Sequence, residues 1–357
     1  MRKIIHCDCD CFYAAVEMRD DPSLINIPIA IGGRSDRRGV ISTCNYPARE
    51  FGIHSAMSTA QALKRCPDLH LISGNMQKYR DASQQIFDIY REVTELIEPL
   101  SLDEAFLDVS DSELYSGSAT RIAQYLRYRV ESEVGITISA GVAPNKFLAK
   151  IASDWNKPNG LKVVAPDDVA DFVEQLPVKK IHGVGKKTAE KMYSLGIQTC
   201  EQIRQQTPEF LQQHFGSFGE RLLELSQGID DRPVSNKRDT KSVSVEHTFA
   251  KDLQTLEQCL AQVEALKDEL TKRHLKLKQE RLVSGLFVKL KFHDFTQTTV
   301  EQQADINEQS LFFDLLKQAF ARGERPVRLI GLGYRLAPVP QQNYQQLLLS
   351  LNRDPSS

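Results

Sequence analysis

Apolar residues open the chain as a nearly unbroken run, Ile4-Ile5-His6-Cys7, with Cys9 continuing the alternation, which is the pattern of a strand buried on both faces. Residues 2–9 therefore read as a buried strand, and 12–19 as a helix stopped near Asp21-Pro22. Short β-rich runs at 28–33 and 39–43 flank the basic turn Arg34-Ser35-Asp36-Arg37-Arg38-Gly39. Helical spacing of apolar positions predicts a long amphipathic helix over 76–96, and a hairpin then puts 102–109 on a strand. Residues 118–134 read as helix, 136–142 as strand and 145–154 as helix.

The strands and helices of 2–9 and 74–164 make one α+β layer, with the segment between them as an insertion. A helical unit follows from Pro166 to about Asp231. The stretch 232–241, Arg232-Pro233-Val234-Ser235-Asn236-Lys237-Arg238-Asp239-Thr240-Lys241, is polar and basic and reads as an interdomain linker. Beyond it, strands at 242–249, 283–292, 296–301 and 327–336 alternate with helices at 256–276 and 309–320, a second, smaller α+β domain. A polar tail after Pro338 and Pro340 is interrupted by Gln346-Leu347-Leu348-Leu349-Ser350-Leu351. At 357 residues the chain is too long for one ordinary core, in keeping with this division.

Composition narrows the class. With 41% hydrophobic and 26% charged residues the chain reads as globular, no apolar run reaches membrane-spanning length, and Met1-Arg2-Lys3-Ile4-Ile5 leads into a strand without a cleavage site. A cytoplasmic location and no membrane partner are the expectation. The seven cysteines include no CxxC pair, and on a strand Cys7, Cys9 and Cys11 point away from Asp8 and Asp10, so they read as thiols facing the core. A net charge of −2 announces no nucleic-acid partner, so DNA binding would rest on local basic patches.

The candidate chemistry begins with carboxylates set into apolar strands, Asp8 in Cys7-Asp8-Cys9-Asp10-Cys11 and Asp103-Glu104 in Ser101-Leu102-Asp103-Glu104-Ala105. Such groups are costly unless a cation meets them. Asp8, Asp103 and Glu104 could hold two divalent cations roughly 3.5–4 Å apart, the arrangement that clamps attacking and leaving oxygens in phosphoryl transfer. Magnesium suits so few protein ligands. The bland reading of each is a solvated turn. Glu104 adjoins Asp103 and on a regular strand would face the other way, so its role needs the hairpin end or a long reach.

Tyr46 and Arg49 sit three apart at a helix start in Asn45-Tyr46-Pro47-Ala48-Arg49, able to hold an anionic phosphate, and Lys157 in Asn156-Lys157-Pro158-Asn159-Gly160 offers a second cation. Ile181-His182-Gly183-Val184-Gly185-Lys186-Lys187 has the pattern of a helix-hairpin-helix. Gly183 and Gly185 open backbone amides to a phosphate, and Lys186 and Lys187, with Lys191, add charge for sequence-independent duplex binding. Lys272, Arg273, Lys276, Lys278, Arg281, Lys289 and Lys291, against the single acid Glu280, give the last domain a basic face that is either solvated or tracks a backbone.

Taken in order, Ile4-Ile5-His6-Cys7-Asp8-Cys9-Asp10-Cys11-Phe12-Tyr13-Ala14-Ala15-Val16-Glu17, Asn45-Tyr46-Pro47-Ala48-Arg49, Ser101-Leu102-Asp103-Glu104-Ala105, Ala140-Gly141-Val142-Ala143-Pro144-Asn145-Lys146 and Asn156-Lys157-Pro158-Asn159-Gly160 resemble the motifs of Y-family DNA polymerases, and the resemblance spans essentially the whole chain. It implies an α+β multidomain right-hand polymerase: a ferredoxin-like palm over 1–10 and 74–165, small fingers over 11–73, a helical thumb with the helix-hairpin-helix over 166–231, a linker over 232–241, an α+β little finger over 242–340, and a tail over 341–357. It further implies that Asp8, Asp103 and Glu104 bind two magnesium ions, with the Cys9 carbonyl as an extra ligand. One ion would activate the primer 3′-hydroxyl, and the other would neutralise the leaving pyrophosphate.

By the same resemblance Tyr46, Arg49 and Lys157 hold the deoxynucleoside triphosphate, and Tyr13 is a steric gate against the ribose 2′-hydroxyl, where many bacterial relatives have Phe. Gln346, Leu347, Leu349 and Leu351 resemble the peptide that binds the bacterial sliding clamp. The implied activity is error-prone, template-directed lesion bypass on primer-template DNA, by a monomer without proofreading. The alternatives are a UmuC-type or template-independent cytidylyl-transferase member, or a non-catalytic DNA-binding scaffold, against which the intact carboxylates argue. A nucleotide cyclase shares the acidic chemistry but has no use for the hairpin or the clamp peptide.

Overall fold

A computed structural model describes residues 1–237, 239–277 and 281–338, and the chain divides into two compact units, one made of residues 1–35 and 39–237 and the other of residues 36–38 together with the chain from 238 onward. In the first unit the opening run becomes β1 (Ile4–Cys9), fully covered because it lies at the centre of a five-stranded sheet. Cys11 takes a left-handed conformation (φ 44°) and turns the chain into α1 (Phe12–Asp20). Asp10 pins that turn: it is buried and accepts from the Thr137 and Ser139 hydroxyls at 2.8 Å and the Asn159 amide at 2.7 Å, which makes it structural.

The segment between the two parts of that layer has its own small sheet: β2 (Ile29–Gly32) at its centre, β3 (Ile41–Cys44) antiparallel on one side, and β4 (His70–Ile72) parallel on the other. Between β3 and β4 run α2 (Tyr46–Glu50) and α3 (Thr59–Arg65). Asn45 starts α2 by accepting from the Ala48 amide at 3.1 Å, and the same oxygen accepts from the Ile29 amide of β2 at 3.1 Å, so one side chain caps the helix and ties it to the strand.

The chain then builds α4 (Met76–Arg91), β5 (Ile97–Pro99), β6 (Glu104–Asp108), α5 (Ala119–Arg129), β7 (Ile138–Ala143), α6 (Lys146–Ser153) and β8 (Leu161–Val163). Sheet order is β5-β6-β1-β7-β8, with β1 antiparallel to both β6 and β7 and β8 parallel to β7. Helix α4 stops at Arg91, short of the expected end at 96, because the Thr94 hydroxyl donates to the Asp108 carbonyl at 2.7 Å and draws the chain into the edge strand β5. Gly141 on β7 is needed by packing: a Cβ there would meet the Ala149 carbonyl oxygen of α6 at 2.1 Å. Five helices follow, α7 (Val169–Glu174), α8 (Lys186–Ser194), α9 (Cys200–Arg204), α10 (Pro208–Phe215) and α11 (Phe218–Ser226).

Buried Asp230 fixes the start of the next stretch, accepting from Arg221 at 2.5 Å, Arg232 at 2.8 Å and the Phe147 amide at 3.1 Å.

The second unit is a four-stranded antiparallel sheet, β11-β10-β12-β9, built from β9 (Ser242–Leu253), β10 (Val283–Phe292), β11 (Gln297–Gln302) and β12 (Val327–Leu336). The expected helix over 256–276 is two, α12 (Leu256–Leu260) and α13 (Val263–His274), and α14 (Leu311–Ala321) completes the cover. Their apolar faces bury Leu266, Leu270, Phe312 and Leu316 against Val245, Val288, Leu332 and Tyr334. Among the described residues no helix is long and apolar enough to cross a membrane.

Candidate active site

A cavity of about 300 Å³ in the first unit is lined by Asp8, Cys9, Cys11, Phe12, Tyr13, Ser42, Thr43, Arg49, Ser55, Asp103 and Lys157. It therefore gathers residues from β1, the start of α1, β3, α2, the turn before β6 and the loop after α6. Asp8 lies near the end of β1. Burial pushes its carboxyl up to about 6, against the pull of the Lys157 ammonium 2.5 Å away. Lys157 has the reciprocal arrangement. Burial lowers its pKa, but Asp8 more than offsets this and the net direction is upward.

The strand expected over 102–109 is Glu104–Asp108, which places the Asp103-Glu104 pair at its hairpin end, one of the two conditions under which Glu104 is expected to reach the site. Residues 101–103 form a bend and the strand starts only at Glu104, which stands directly opposite Asp8 in the β1–β6 ladder. Glu104 thus shares Asp8's face with no unusual reach, and Asp103 is the one outside the regular strand. Asp103 is held by the Cys9 amide, which donates to its carbonyl at 2.9 Å, and by the Ser101 hydroxyl, which donates to its carboxylate at 2.5 Å. Burial raises the Glu104 carboxyl, but the His6 ring and the Lys150 ammonium outweigh it and bring it down to about 2. His6 Nε2 lies 3.3 Å from Glu104 Oε2. Lys150 Nζ also donates to Oε2.

Tyr13 faces the cavity and stacks on Tyr79, ring centroids 4.3 Å apart at 18°. The Tyr79 hydroxyl donates to Glu17 at 2.6 Å, and Lys78 binds the other oxygen of the same carboxylate at 2.6 Å, so the ring beneath Tyr13 is anchored at its far end. Arg49 is exposed and lies over the Tyr46 ring at 4.7 Å. Tyr46 does not line the cavity. Its hydroxyl is buried without a hydrogen-bond partner among the described residues, and burial pushes it up to about 12. The Cys9 thiol is buried in the core, as are Cys7 and Cys11, and burial raises all three, Cys7 to about 12.

At the glycine pair, Gly183 has φ +96° and faces the Phe218 ring, while a Cβ on Gly185, the residue capping α8, would meet nothing. Open space there leaves the α8 amides approachable. Lys186, Lys187 and Lys191 are all exposed, and Lys191 donates to the His214 carbonyl and lies over the Phe215 ring. In the second unit the basic run is largely committed to its own fold: Lys289 to Glu246 at 3.0 Å, Arg273 to the Ser244 carbonyl, and Arg281 to Asp239 and the Ala337 carbonyl. Lys278 and Glu280 of that run, and Gln346, Leu347, Leu349 and Leu351, lie outside the described residues.

Sequence reasoning did not single out His6, Lys150 or Tyr79. Only His6 left a signal, standing two positions before Asp8 and so on the same face of β1.

Three family models match the chain: the impB/mucB/samB family over residues 7–154, the HHH motif of the IMS family over 166–197, and the impB/mucB/samB C-terminal domain over 240–348. DNA polymerase IV of Pseudomonas syringae pv. tomato is 56% identical over 98% of this chain and 99% of its own length. DNA polymerase IV of Ralstonia nicotianae is 55% identical over 100% of both. Among solved structures, a Y-family DNA polymerase chimera of Dbh and Dpo4 superposes with a TM-score of 0.85 at 28% identity, covering 93% of this chain and 98% of that one. An insertion ternary complex of Dbh DNA polymerase gives 0.68 at 27%, covering 94% and 99%.

Proposed function

The chain belongs to the impB/mucB/samB family of Y-family DNA polymerases and is a DNA-directed DNA polymerase, and from that premise we propose that Asp8, Asp103 and Glu104 hold the magnesium ions with which it extends a primer across damaged template, error-prone and without proofreading. The observation that carries the reading is the convergence of Asp8, Asp103, Tyr13, Arg49 and Lys157 on one cavity. The donor set fits a divalent cation: Asp8 stands opposite Glu104 in the ladder and lines the cavity together with Asp103, whereas Glu104 does not line it, and the ammonium groups of Lys157 and Lys150 balance Asp8 and Glu104. Bound magnesium would supply Lewis acidity at the reacting phosphate and its entering and leaving oxygens.

The protein's own part is positioning. Lys157 and Arg49 offer cations to a triphosphate from the cavity wall, and Tyr46, outside that wall, supports Arg49 through its ring and would have to turn its buried hydroxyl to serve as a donor. Tyr13, backed by the anchored Tyr79, sets the floor on which the sugar rests, so a 2′-hydroxyl would collide with a ring that cannot retreat. The open α8 amides behind Gly185, with Lys186 and Lys187, suit a duplex phosphate. In this reading the palm comprises 1–10 and 74–165, the fingers 11–73, the thumb 166–231 and the little finger 242–340, with Cys9 contributing its carbonyl to the metal site and the segment from Gln346 to Leu351 binding a sliding clamp.

Primer extension with wild type and Asp103→Asn, on plain and damaged templates with and without magnesium, tests it. Magnesium-dependent extension that falls by about 100-fold or more in the variant is expected. Equal activity would overturn the catalytic assignment.

A further inference from the structure

We propose that Phe295, at the tip of the β10–β11 hairpin, is a stacking platform for an unpaired DNA base, with Lys291 and Arg328 beside it as partners for the phosphates flanking that base. This contact lies in the second unit and makes no use of the carboxylate site. A lone exposed aromatic ring is ordinary. Phe295 differs because it is 60% exposed while its backbone is left-handed, φ +67°, a conformation that bulky L residues rarely adopt. The turn holds it there. The Phe295 amide donates to the Phe292 carbonyl at 3.0 Å, and one Asp294 carboxylate oxygen accepts from the Thr296 amide at 3.0 Å and its hydroxyl at 2.6 Å. Arg325 binds the other oxygen of Asp294, and the His293 amide donates to the Pro326 carbonyl at 2.9 Å, which ties the tip to the chain entering β12. The ring is thus held out to solvent on a braced support.

The cations are the second observation. Among the described residues of this unit four cations lie over aromatic rings. Arg325 over Phe292 and Arg335 over Phe287 also bind carboxylates, Asp294 and Glu301, so their charge is balanced within the fold. Lys291 and Arg328 are different. They lie 4.9 Å and 4.7 Å from the Phe295 centroid, and neither has a hydrogen bond or an ion pair among the described residues. Asp252, which Arg328 influences from farther off, is bonded to Arg38. Two uncompensated cations over one exposed ring suit an anion that brings its own π-face. A nucleotide in a single strand has that chemistry: the base stacks on the ring, and the lysine and arginine move outward onto its phosphates. A base within a duplex has no face to offer, and an acidic peptide would meet the charges but leave the ring in water.

Full-length protein in chelator, so that no metal takes part, is titrated into a labelled primer-template with a 5′ single-stranded overhang and into a blunt duplex, with binding followed by fluorescence anisotropy. Phe295→Ala is expected to bind the overhang DNA roughly tenfold more weakly and the blunt duplex as wild type does. With wild-type protein, a single abasic position stepped along the overhang should reproduce that loss at one step. The same abasic DNA should cost Phe295→Ala nothing further. Lys291→Gln and Arg328→Gln should each flatten the dependence of log affinity on log salt by about 0.7, one phosphate contact on a single strand. Overhang DNA bound equally by wild type and Phe295→Ala, or abasic positions that are all neutral in wild type, would overturn the platform. A loss in Phe295→Ala that is equal on overhang and blunt DNA would overturn it as well, because the ring would then serve phosphate contacts alone. The abasic scan of wild type decides the matter even where Phe295→Ala folds poorly, and none of these outcomes bears on the carboxylate reading.

Discussion

Replacing Asp8 by Asn should stabilise the metal-free protein even as it removes catalysis. Burial holds the Asp8 carboxyl at about 6 rather than the ordinary 3.8, with Lys157 only partly compensating. At about 1.4 kcal/mol per pH unit, the ionised form costs the fold about 3 kcal/mol relative to the unfolded chain. The side chain is 20% exposed, so solvent screens little of this. A group whose folded pKa is raised contributes its stability below the unfolded value and loses it as pH climbs through the folded one. Wild type should therefore lose this contribution between about pH 4 and pH 6, and the Asn variant should not. The advantage of the variant is expected near zero at pH 4 and about 1–3 kcal/mol at pH 7.5, the lower end allowing for Lys157 losing a charged partner.

Urea unfolding in the presence of a chelator measures the difference, followed by the fluorescence of the single tryptophan, Trp155, which lies in the same unit two residues from Lys157. Excess magnesium should shrink the gap, because wild type alone gains binding energy at that carboxylate. An Asn variant no more stable than wild type at pH 7.5, or an advantage unchanged from pH 4 to pH 7.5, would refute the reasoning.

Tyr13→Ala should raise ribonucleotide incorporation about ten- to 100-fold, since forcing an extra group into a packed site costs about 1–3 kcal/mol; the ratio of ribo- to deoxynucleotide extension efficiencies reads it. Asp230→Ala strands Arg221 and Arg232 and should cost about 3–5 kcal/mol of stability in chemical denaturation of the first unit. Gly141→Ala puts a methyl 2.1 Å from the Ala149 carbonyl oxygen and 2.4 Å from the Ser153 amide, so α6 must move off the sheet at a cost of about 3 kcal/mol, seen as a lowered melting temperature. Truncation before Gln346 should leave basal primer extension intact and abolish its stimulation by a bacterial sliding clamp, measured as product length with and without the clamp.

Local pattern carried the strands well where packing agrees with it. Residues 283–292 and 327–336 were legible to the residue as β10 and β12, the first because it alternates against the core and the second because, as an inner strand, it is a nearly continuous buried run. Helix ends were less so. The spacing of 76–96 keeps its helical period past Arg91, and only the Thr94 hydroxyl meeting a carbonyl 14 positions away ends the helix early. The choice between a hairpin end and a long reach for Glu104 was open in the sequence for the same reason. Alternation assigns it correctly only once the strand's first residue is known, and the bend at 101–103 is set by the Ser101 hydroxyl and the Cys9 amide.

The site's electrostatics were hidden for a stronger reason. Lys150 meets Glu104 across 46 positions and Lys157 meets Asp8 across 149, one from α6 and one from the loop that follows it. Lys157 is marked by its motif as a phosphate cation but not as the partner of Asp8, and Lys150 has no sequence neighbour that marks it; the missing side chain of Gly141 lets α6, which carries Lys150, lie close to the sheet. These pairings give the three carboxylates different character: Asp8 is held up near 6, Glu104 is held down near 2, and Asp103 sits in a bend with a hydroxyl for company. A cation entering the site therefore relieves most at Asp8, where burial has left the charge least compensated, and displaces most at Glu104, where Lys150 already stands. In the proposed reading the motif carboxylates would hold the cation, and Lys157 and Lys150 supply the charge it would have to displace.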